Sequence, residues 1–582
     1  MTNQKWWQKA VFYQIYPRSF YDSNGDGIGD LKGIISKLDY LQQLGVDAIW
    51  LSPHYPSPMF DCGYDITDYK AVAPEYGSMD DFVNFLENAH HRGLRVITDL
   101  VLNHTSHLHP WFLESRSSLL NPKRTWYVWR DGIDQKPPNN WNSAFGDSAW
   151  EYDPNTGQYY YHFFFKEQPD LNWHNPEVKE AMFDVARFWL DSGVDGFRLD
   201  AIETIFEHPD MPDHSARTSE AQLYETGRNI KNEADLEHFE ETVLEMYKYQ
   251  LNQPGIHTLM QELRSLVDEY DYRILVGETD RISFYGEGTN ELDLVFNFPL
   301  VKAKNLNPEL IRANQISRLA ALPPLAWPGN TLGNHDSSRV FSHFGDGEND
   351  QALAHLSLAL MLTLRGTPFL YYGEEIGMTD FFLHDLIQLK DQLSIWAYQL
   401  EVEHFHTDPE KALKNASLYG RDKCRTPLQW NREPNAGFSP KGVETWLPVN
   451  PNYLQGINVF DQEIDPHSSL NFYKDLLQLR KRSPALMAGD FQPLHLESSD
   501  YFAFLRADKL EDQTCLVILN FSSKEQILRF EELGESLQVL FSNFDREGVP
   551  SFPSYLYIFP FEIFISEIFT SSSLQPTKLS SE

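Results

Sequence analysis

Eight short apolar runs punctuate this 582-residue chain, and their spacing constrains the fold more than any other feature. They are VFYQIYP (11–17), AIWLSP (48–53), RVITDLV (95–101), VDGFRLD (194–200), RILVGE (273–278), LVFNF (294–298), TLGNH (331–335) and TPFLYYG (367–373). Amphipathic stretches lie between them. LKGIISKLDYLQQLG, MDDFVNFLENAHHRG and VKEAMFDVARFWLDSG each close on a glycine, as helix C-termini often do. Strands that are apolar throughout are buried on both faces, and their alternation with helices means a parallel sheet. Eight such units predict an α/β chain folded as a (β/α)8 TIM barrel.

Two units are oversized. Residues 104–173 are rich in Trp, Tyr, Asn and Pro and read as an irregular domain inserted after strand three. Its aromatics (Trp126, Trp129, Trp141, Trp150, Phe163, Phe164, Phe165) are expected to form its own core and also one wall of a cleft. The second excursion, 374–467, follows strand eight, and the role of its segment from Phe381 to Ser417 is not legible. SSLNFYKDLLQLRKRSPAL (468–486) reads as the last barrel helix, with Leu470, Tyr473, Leu476 and Leu477 on one side and a basic final turn. The pattern then changes to short alternating runs: YFAFLRA, CLVILNF, LQVLFS and YLYIFPFEIFIS. The expected organisation is therefore a barrel over 1–103 and 174–486 interrupted by 104–173, then a C-terminal antiparallel β domain over 487–570. The polar tail 571–582 is expected to be disordered.

A formal charge of −36 argues against nucleic acid, phosphate-rich ligands and anionic membranes as partners. The three cysteines, Cys62, Cys424 and Cys515, lack metal-site spacing and cannot make a disulfide framework. The N-terminal stretch shows no signal-peptide core, and no run is long and apolar enough for a membrane span. A cytoplasmic protein, monomer or homodimer, is expected.

Active sites of such barrels lie at the C-terminal ends of the strands. Strand three leads to Asp99, Asn103 and His104, and strand four carries Arg198 and Asp200. Strand five ends in Glu278, and strand seven in Asn334, His335 and Asp336. The loop after strand two holds Asp61, Tyr64 and Asp65. Residues i and i+2 of a strand share a face, so Arg198 and Asp200 project together, and the cation is expected to keep the carboxylate ionised. Taken alone, that pair is as well explained by a buried ion pair closing a strand. Three carboxylates converging on one mouth are not so easily explained. They suit glycoside hydrolysis, in which an ionised carboxylate attacks the anomeric carbon and a protonated one serves the leaving oxygen. Glu278 has no cation beside it in sequence, so desolvation and nearby carboxylates are expected to raise its pKa as a general acid requires. Metal-dependent hydrolysis, the competing use of such residues, would need ligands set to clasp an ion where Arg198 stands.

The chain resembles the α-amylase family of glycoside hydrolases (glycoside hydrolase family 13), in its oligo-1,6-glucosidase and α-glucosidase branch. The matching motifs are AVFYQIYPRSFYDSNGDGIGDLKGI, TDLVLNHTS, QPDLNW, GFRLDA, VGET, GNHDSSR and GRDKCRTPLQW, in the family's order up to about residue 440. The resemblance implies that Asp200 is the nucleophile, Glu278 the acid/base, and Asp336 the carboxylate that fixes the sugar and stabilises its transition state. It implies that His104, Arg198 and His335 bind the same glucosyl unit. Asp61, Tyr64 and Arg421 would close the pocket around the non-reducing end, with Tyr64 stacked under the ring. Phe145, Phe164 and Gln168 would line the wall supplied by the inserted domain.

DSNGDGIGD opens like a calcium loop, with oxygen ligands at Asp22, Asn24 and Asp26 followed by glycine. Asp30 and the Ile28 carbonyl would complete the set. The alternative is an Asx-rich turn without metal. In the resembling enzymes this loop holds a structural calcium.

The expected activity is that of a retaining exo-α-glucosidase releasing glucose from maltose, maltooligosaccharides or sucrose. Ala201 follows the nucleophile and faces the acceptor side. In the resembling enzymes valine there goes with α-1,6 bonds and alanine or threonine with α-1,4, so α-1,4 preference is expected. Two other readings remain open: a glucosyltransferase or isomerase such as a trehalose synthase or sucrose isomerase, and a catalytically inactive transporter subunit. The last would require a membrane anchor and lost carboxylates.

Overall fold

A computed structural model describes residues 5–146, 148–231, 233–530, 536–546 and 555–569. The tail 571–582 lies outside the described residues. Strands β1 (Phe12–Ile15), β2 (Ala48–Leu51) and β3 (Arg95–Val101) begin the barrel. A small antiparallel sheet follows, built from β4 (Trp129–Arg130), β5 (Trp150–Asp153) and β6 (Gln158–Tyr161) in the order β4-β6-β5. The barrel resumes with β7 (Gly196–Asp200), β8 (Ile274–Gly277), β9 (Leu294–Val295), β10 (Gly329–Thr331) and β11 (Thr367–Tyr371). All hydrogen-bonded neighbours in this eight-stranded sheet are parallel, in the order β10-β11-β1-β2-β3-β7-β8-β9. The ring is nearly closed. β9 and β10 are not paired, yet a Cβ on Gly329 would come within 2.8 Å of the Val295 carbonyl oxygen.

The barrel interior is filled by side chains from alternate positions of its strands. Phe12, Trp50, Ile97, Ile274, Val276, Leu294 and Phe369 form one buried cluster, so this is a packed core and not a channel. Gly196 is required where β7 meets β8: its φ is 150°, and a Cβ there would lie 2.1 Å from the Ile274 carbonyl oxygen.

Helix Met79–His91 starts on a Ser78–Asp81 capping box and ends before Gly93 at φ 76°. Helix Pro176–Asp191 starts on Asn175 with proline at its first position, and Gly193 lies just beyond its end. The stretch from Leu31 forms two helices rather than one. Leu31–Ser36 and Leu38–Leu44 break at Lys37, whose φ of −111° and ψ of 4° leave the helical region. The final barrel helix is Ser469–Arg482, shorter than 468–486, since Pro484 starts a separate helix, Pro484–Ala488. Its Arg480 is buried and donates to the carbonyls of Leu362, Leu486 and Gly366, so it caps other elements instead of facing solvent.

The C-terminal part holds β12 (Asp490–Leu494), β13 (Tyr501–Asp508), β14 (Gln513–Asn520), β15 (Gln526–Arg529), β16 (Ser536–Ser542), β17 (Tyr555–Ile558) and β18 (Ile563–Phe569). Five form one antiparallel sheet, β12-β13-β14-β18-β16, while β15 pairs with β17. The run YLYIFPFEIFIS therefore divides between two sheets at Pro560. Among the described residues no helix is long and apolar enough to cross a membrane. Cys62, Cys424 and Cys515 are free and buried.

Candidate active site

Parallel register brings the candidate residues together. Asp99 on β3 sits opposite Arg198 on β7, and Leu199 opposite Gly277 on β8, which places Glu278 beside Asp200 at the strand ends. Arg198 is buried at the hub. Its Nη1 lies 2.7 Å from Asp99 Oδ1 and 2.6 Å from Asp200 Oδ1, and its Nη2 lies 2.7 Å from Glu278 Oε1. Glu278 thus has a cation partner, contributed across the sheet and invisible in local sequence. Asp99 also accepts the Trp50 indole N–H at 3.0 Å.

Burial changes the electrostatic expectation for Asp200. Desolvation raises its pKa to about 7; Arg198 pulls down, while Asp99, Asp336 and Asp61 push up. The cation does not hold this carboxyl low, because burial and the neighbouring carboxylates outweigh it. Glu278 rises further, to about 8: desolvation leads, Asp200 and Asp336 add to it, and Arg198 and the Ala201 amide oppose it. Asp336 goes the other way. Burial would raise it, but His335, Arg425, Arg421 and Arg198 together hold it well below the usual carboxylate range. His335 is itself pushed down to about 3 by burial and is neutral at pH 7, so the arginines carry that effect there. Arg425 Nη2 lies 2.6 Å from Asp336 Oδ1 and Arg421 Nη1 3.5 Å. The three carboxyls are thus driven apart: one ionised, one inclined to keep its proton, one between.

The other residues complete a cavity of about 110 Å³, lined by Asp61, Tyr64, His104, Phe145, Phe164, Asp200, Ala201, Glu278, Asp336 and Arg421. Pockets that enclose drug-sized ligands run to roughly 300–1,000 Å³, so this one has room for a single small unit. Asp61 and Arg421 join at 2.7 Å at one end. Gln168 Nε2 reaches both Asp61 Oδ2 and His104 Nε2, each at 2.9 Å, and burial keeps His104 neutral, with its pKa near 3. The Tyr64 ring stacks on His335, centroids 5.4 Å apart and 10° from parallel, and its hydroxyl lies 2.6 Å from His335 Nε2. Phe145 and Phe164 pack together at 5.3 Å, while Trp141, Trp150 and Phe163 belong to a separate core behind them. The aromatics of 104–173 thus supply both a core and a wall.

Ala201 has a left-handed backbone, φ 45° and ψ 42°, and its N–H donates to Glu278 Oε2 at 2.8 Å. A volume argument from sequence does not reveal that constraint. Asp65 lies outside the cavity and is a loop cap: it accepts the Ser57 hydroxyl and the Phe60 and Asp61 amides. Asn103 and Asn334 also play supporting parts. Asn103 accepts the Thr204 hydroxyl, and Asn334 accepts the Asp336 amide. Sequence reasoning missed Gln14 and Arg425. Gln14 is a lone amide in an apolar strand; its Nε2 lies 2.7 Å from His335 Nδ1, which leaves the imidazole proton on Nε2. Arg425 follows Arg421 by four positions in GRDKCRTPLQW and also donates to the His335 carbonyl.

The loop Asp22–Asp30 is closed by hydrogen bonds. Asp22 accepts the amides of Asn24, Gly25 and Gly27 and the Ser439 hydroxyl. Asp30 accepts the Ser23 amide and hydroxyl and caps helix Leu31–Ser36 through Gly33. Asn24 Oδ1 and each oxygen of Asp26 accept one bond apiece, which leaves lone pairs for an ion. The residues therefore fit a cation in part. Among the described residues no group of three or more His, Cys, Asp or Glu side chains is set to hold a metal.

Comparison with known proteins agrees with this geometry. The profile described as "Alpha amylase, catalytic domain" matches residues 14–489. An oligo-1,6-glucosidase of Parageobacillus thermoglucosidasius is 40% identical over 561 residues, covering 93% of this chain and 95% of its own. An alpha-glucosidase of Pediococcus pentosaceus is 39% identical over 569 residues, covering 93% and 96%. Among solved structures, a trehalulose synthase from Pseudomonas mesoacidophila MX-45 superposes with a TM-score of 0.86 at 37% identity, covering 97% of this chain and 100% of that one. A trehalose-6-phosphate hydrolase of Bacillus licheniformis gives 0.84 at 34% identity, with the same coverage. The chain belongs to the α-amylase family and is a glycoside hydrolase.

Proposed function

We propose that this enzyme is a retaining exo-α-glucosidase that releases glucose from the non-reducing end of maltose, maltooligosaccharides or sucrose. The observation that carries this is a one-unit cavity, closed by the Asp61–Arg421 pair and floored by Asp200, Glu278 and Asp336. In this reading Asp200 attacks the anomeric carbon and Glu278 gives its proton to the leaving oxygen, then takes one from water. Asp336, ionised among its arginines, binds the sugar hydroxyls and stabilises positive charge developing on the ring. One guanidinium touches both Asp200 and Glu278. That favours the separation of about 5–5.5 Å found in retaining enzymes over the roughly 6.5–9.5 Å of inverting ones.

Product analysis on maltose and sucrose tests the reading. Free glucose should dominate. A rearranged disaccharide as main product would make the enzyme an isomerase or glucosyltransferase, the alternative kept open by the trehalulose synthase among its structural relatives. The intact carboxylate set disfavours the inactive transporter-subunit reading. Three free cysteines suit a cytoplasmic enzyme, monomer or homodimer.

We also propose that α-1,4 bonds are preferred, on the small side chain of Ala201. Several relatives are named for α-1,6 cleavage, so the maltose-to-isomaltose ratio of kcat/KM decides. Ala201→Val should lower that ratio by about 1–3 kcal/mol, roughly 10- to 200-fold. It should also cost overall activity, since a β-branched residue strains at positive φ and shifts the N–H that holds Glu278. A wild type that cuts isomaltose far faster than maltose would reject the inference.

Calcium at Asp22, Asn24, Asp26, Ile28 and Asp30 is proposed as purely structural. Chelation should then lower Tm, because a ligand of the native state stabilises by mass action. An unchanged Tm would assign the loop to its hydrogen bonds alone.

A further inference from the structure

The excursion after β11 acquires a role through Asp391. Its carboxylate is fully buried at the start of helix Gln392–Gln399, where its Oδ1 accepts the Leu393 amide. The same carboxylate receives the Arg421 guanidinium as a fork, Nε to Oδ2 at 3.0 Å and Nη2 to Oδ1 at 2.7 Å. It also accepts the Arg421 backbone N–H at 2.7 Å. The clasp is reciprocal, because Asp422 accepts the backbone amides of Lys390 and Asp391. Residues 390–391 and 421–422 therefore hold each other, and the helices between them, Gln392–Gln399 and Pro409–Tyr419, close the loop. What projects from this clasp is the rest of the guanidinium: Nη2 to Asp61 at 2.7 Å and Nη1 toward Asp336 at 3.5 Å.

Arginine has a planar fork with fixed donor directions, so two occupied donors on one edge dictate where the others aim. Burial would push the Asp391 carboxyl up, but Arg421 and then Arg425 outweigh it and hold it below the usual range. Here a fully ionised partner anchors the arginine on the side away from the cavity.

We propose that Asp391 is a positioning residue: it orients Arg421 against Asp61 and Asp336 and so sets how tightly the closed end of the cavity grips the terminal sugar. This rests on the α-glucosidase reading for the identity of that sugar.

Asp391→Asn is the test, because asparagine keeps the oxygen that caps Leu393 while removing the charge and half of the fork. The KM for maltose should rise about tenfold or more, as expected when one partner of a buried charge pair is truncated, with kcat changed by less than about threefold. Product inhibition by glucose should weaken in parallel. In an Arg421→Ala background the same substitution should add less than about twofold, since the effect passes through the arginine. An unchanged KM, or an equal increment in both backgrounds, would overturn the proposal. Should Asp391→Asn not fold, Arg421→Lys keeps the charge but loses the fork, and a wild-type KM in that variant would overturn it equally. A wild type inactive on every α-glucoside would reject the functional reading instead. Glucose binding by calorimetry in the same variants would still decide the role of Asp391.

Discussion

Asp200→Asn should lower turnover by about 10⁴-fold or more while leaving the fold intact. An amide of the same shape cannot form the glycosyl ester, and losses of that size are typical when the nucleophile of a covalent mechanism is removed. The native contacts explain why stability should survive. Asp200 is one of three carboxylates around Arg198, and Asp99 and Glu278 keep their own contacts when it is neutralised. Its own pKa, near 7, means that burial already costs the ionised form, so a neutral amide is tolerated there. The check is kcat on maltose alongside Tm. Activity within tenfold of wild type would remove Asp200 from the nucleophile's place.

Arg198→Gln should be damaging in a different way. Truncating one partner of a buried ion pair typically costs about 3–5 kcal/mol, and here three acids lose their counter-charge at once. Asp99, Asp200 and Glu278 have pKa values near 6, 7 and 8, all above the roughly 3.9–4.3 of unfolded chains, and losing the cation raises them further. For acids raised in this way the folded state binds the extra protons. Their contribution is fully favourable below about pH 4 and is lost as pH rises through the folded values. The Tm deficit of the variant should therefore be small near pH 5 and large near pH 8. An equal deficit at both would mean that Arg198 acts by packing alone. Activity should be lost at either pH, because Asp200 would stay protonated.

Much of this site could be read from the chain. Polar residues at the ends of apolar runs fall at the mouth of a barrel by construction, so Asp200, Glu278, Asp336 and His104 were legible as a set. All ten residues around the cavity are expected from the sequence, Phe145, Ala201 and Arg421 through the family resemblance alone. What sequence could not show is which charges share a partner. Arg198 and Glu278 are 80 residues apart, and only the register of β7 on β8 brings them into contact. An i, i+2 pairing therefore suggests a low pKa for Asp200 where burial and neighbouring carboxylates produce a high one. Gln14, Arg425 and Asp391 were missed for a related reason: they act on other protein side chains, and no motif chemistry announces them. The break at Lys37 and the division of the last apolar run at Pro560 are not encoded in local periodicity.

The central claim is a double displacement through Asp200, and stereochemistry tests it most directly. Proton NMR on maltose hydrolysis, recorded before mutarotation equilibrates the product, should show glucose from the non-reducing unit appearing first as the α-anomer. First appearance of the β-anomer from that unit would mean single displacement by water, and would contradict the assignment of Asp200 as nucleophile.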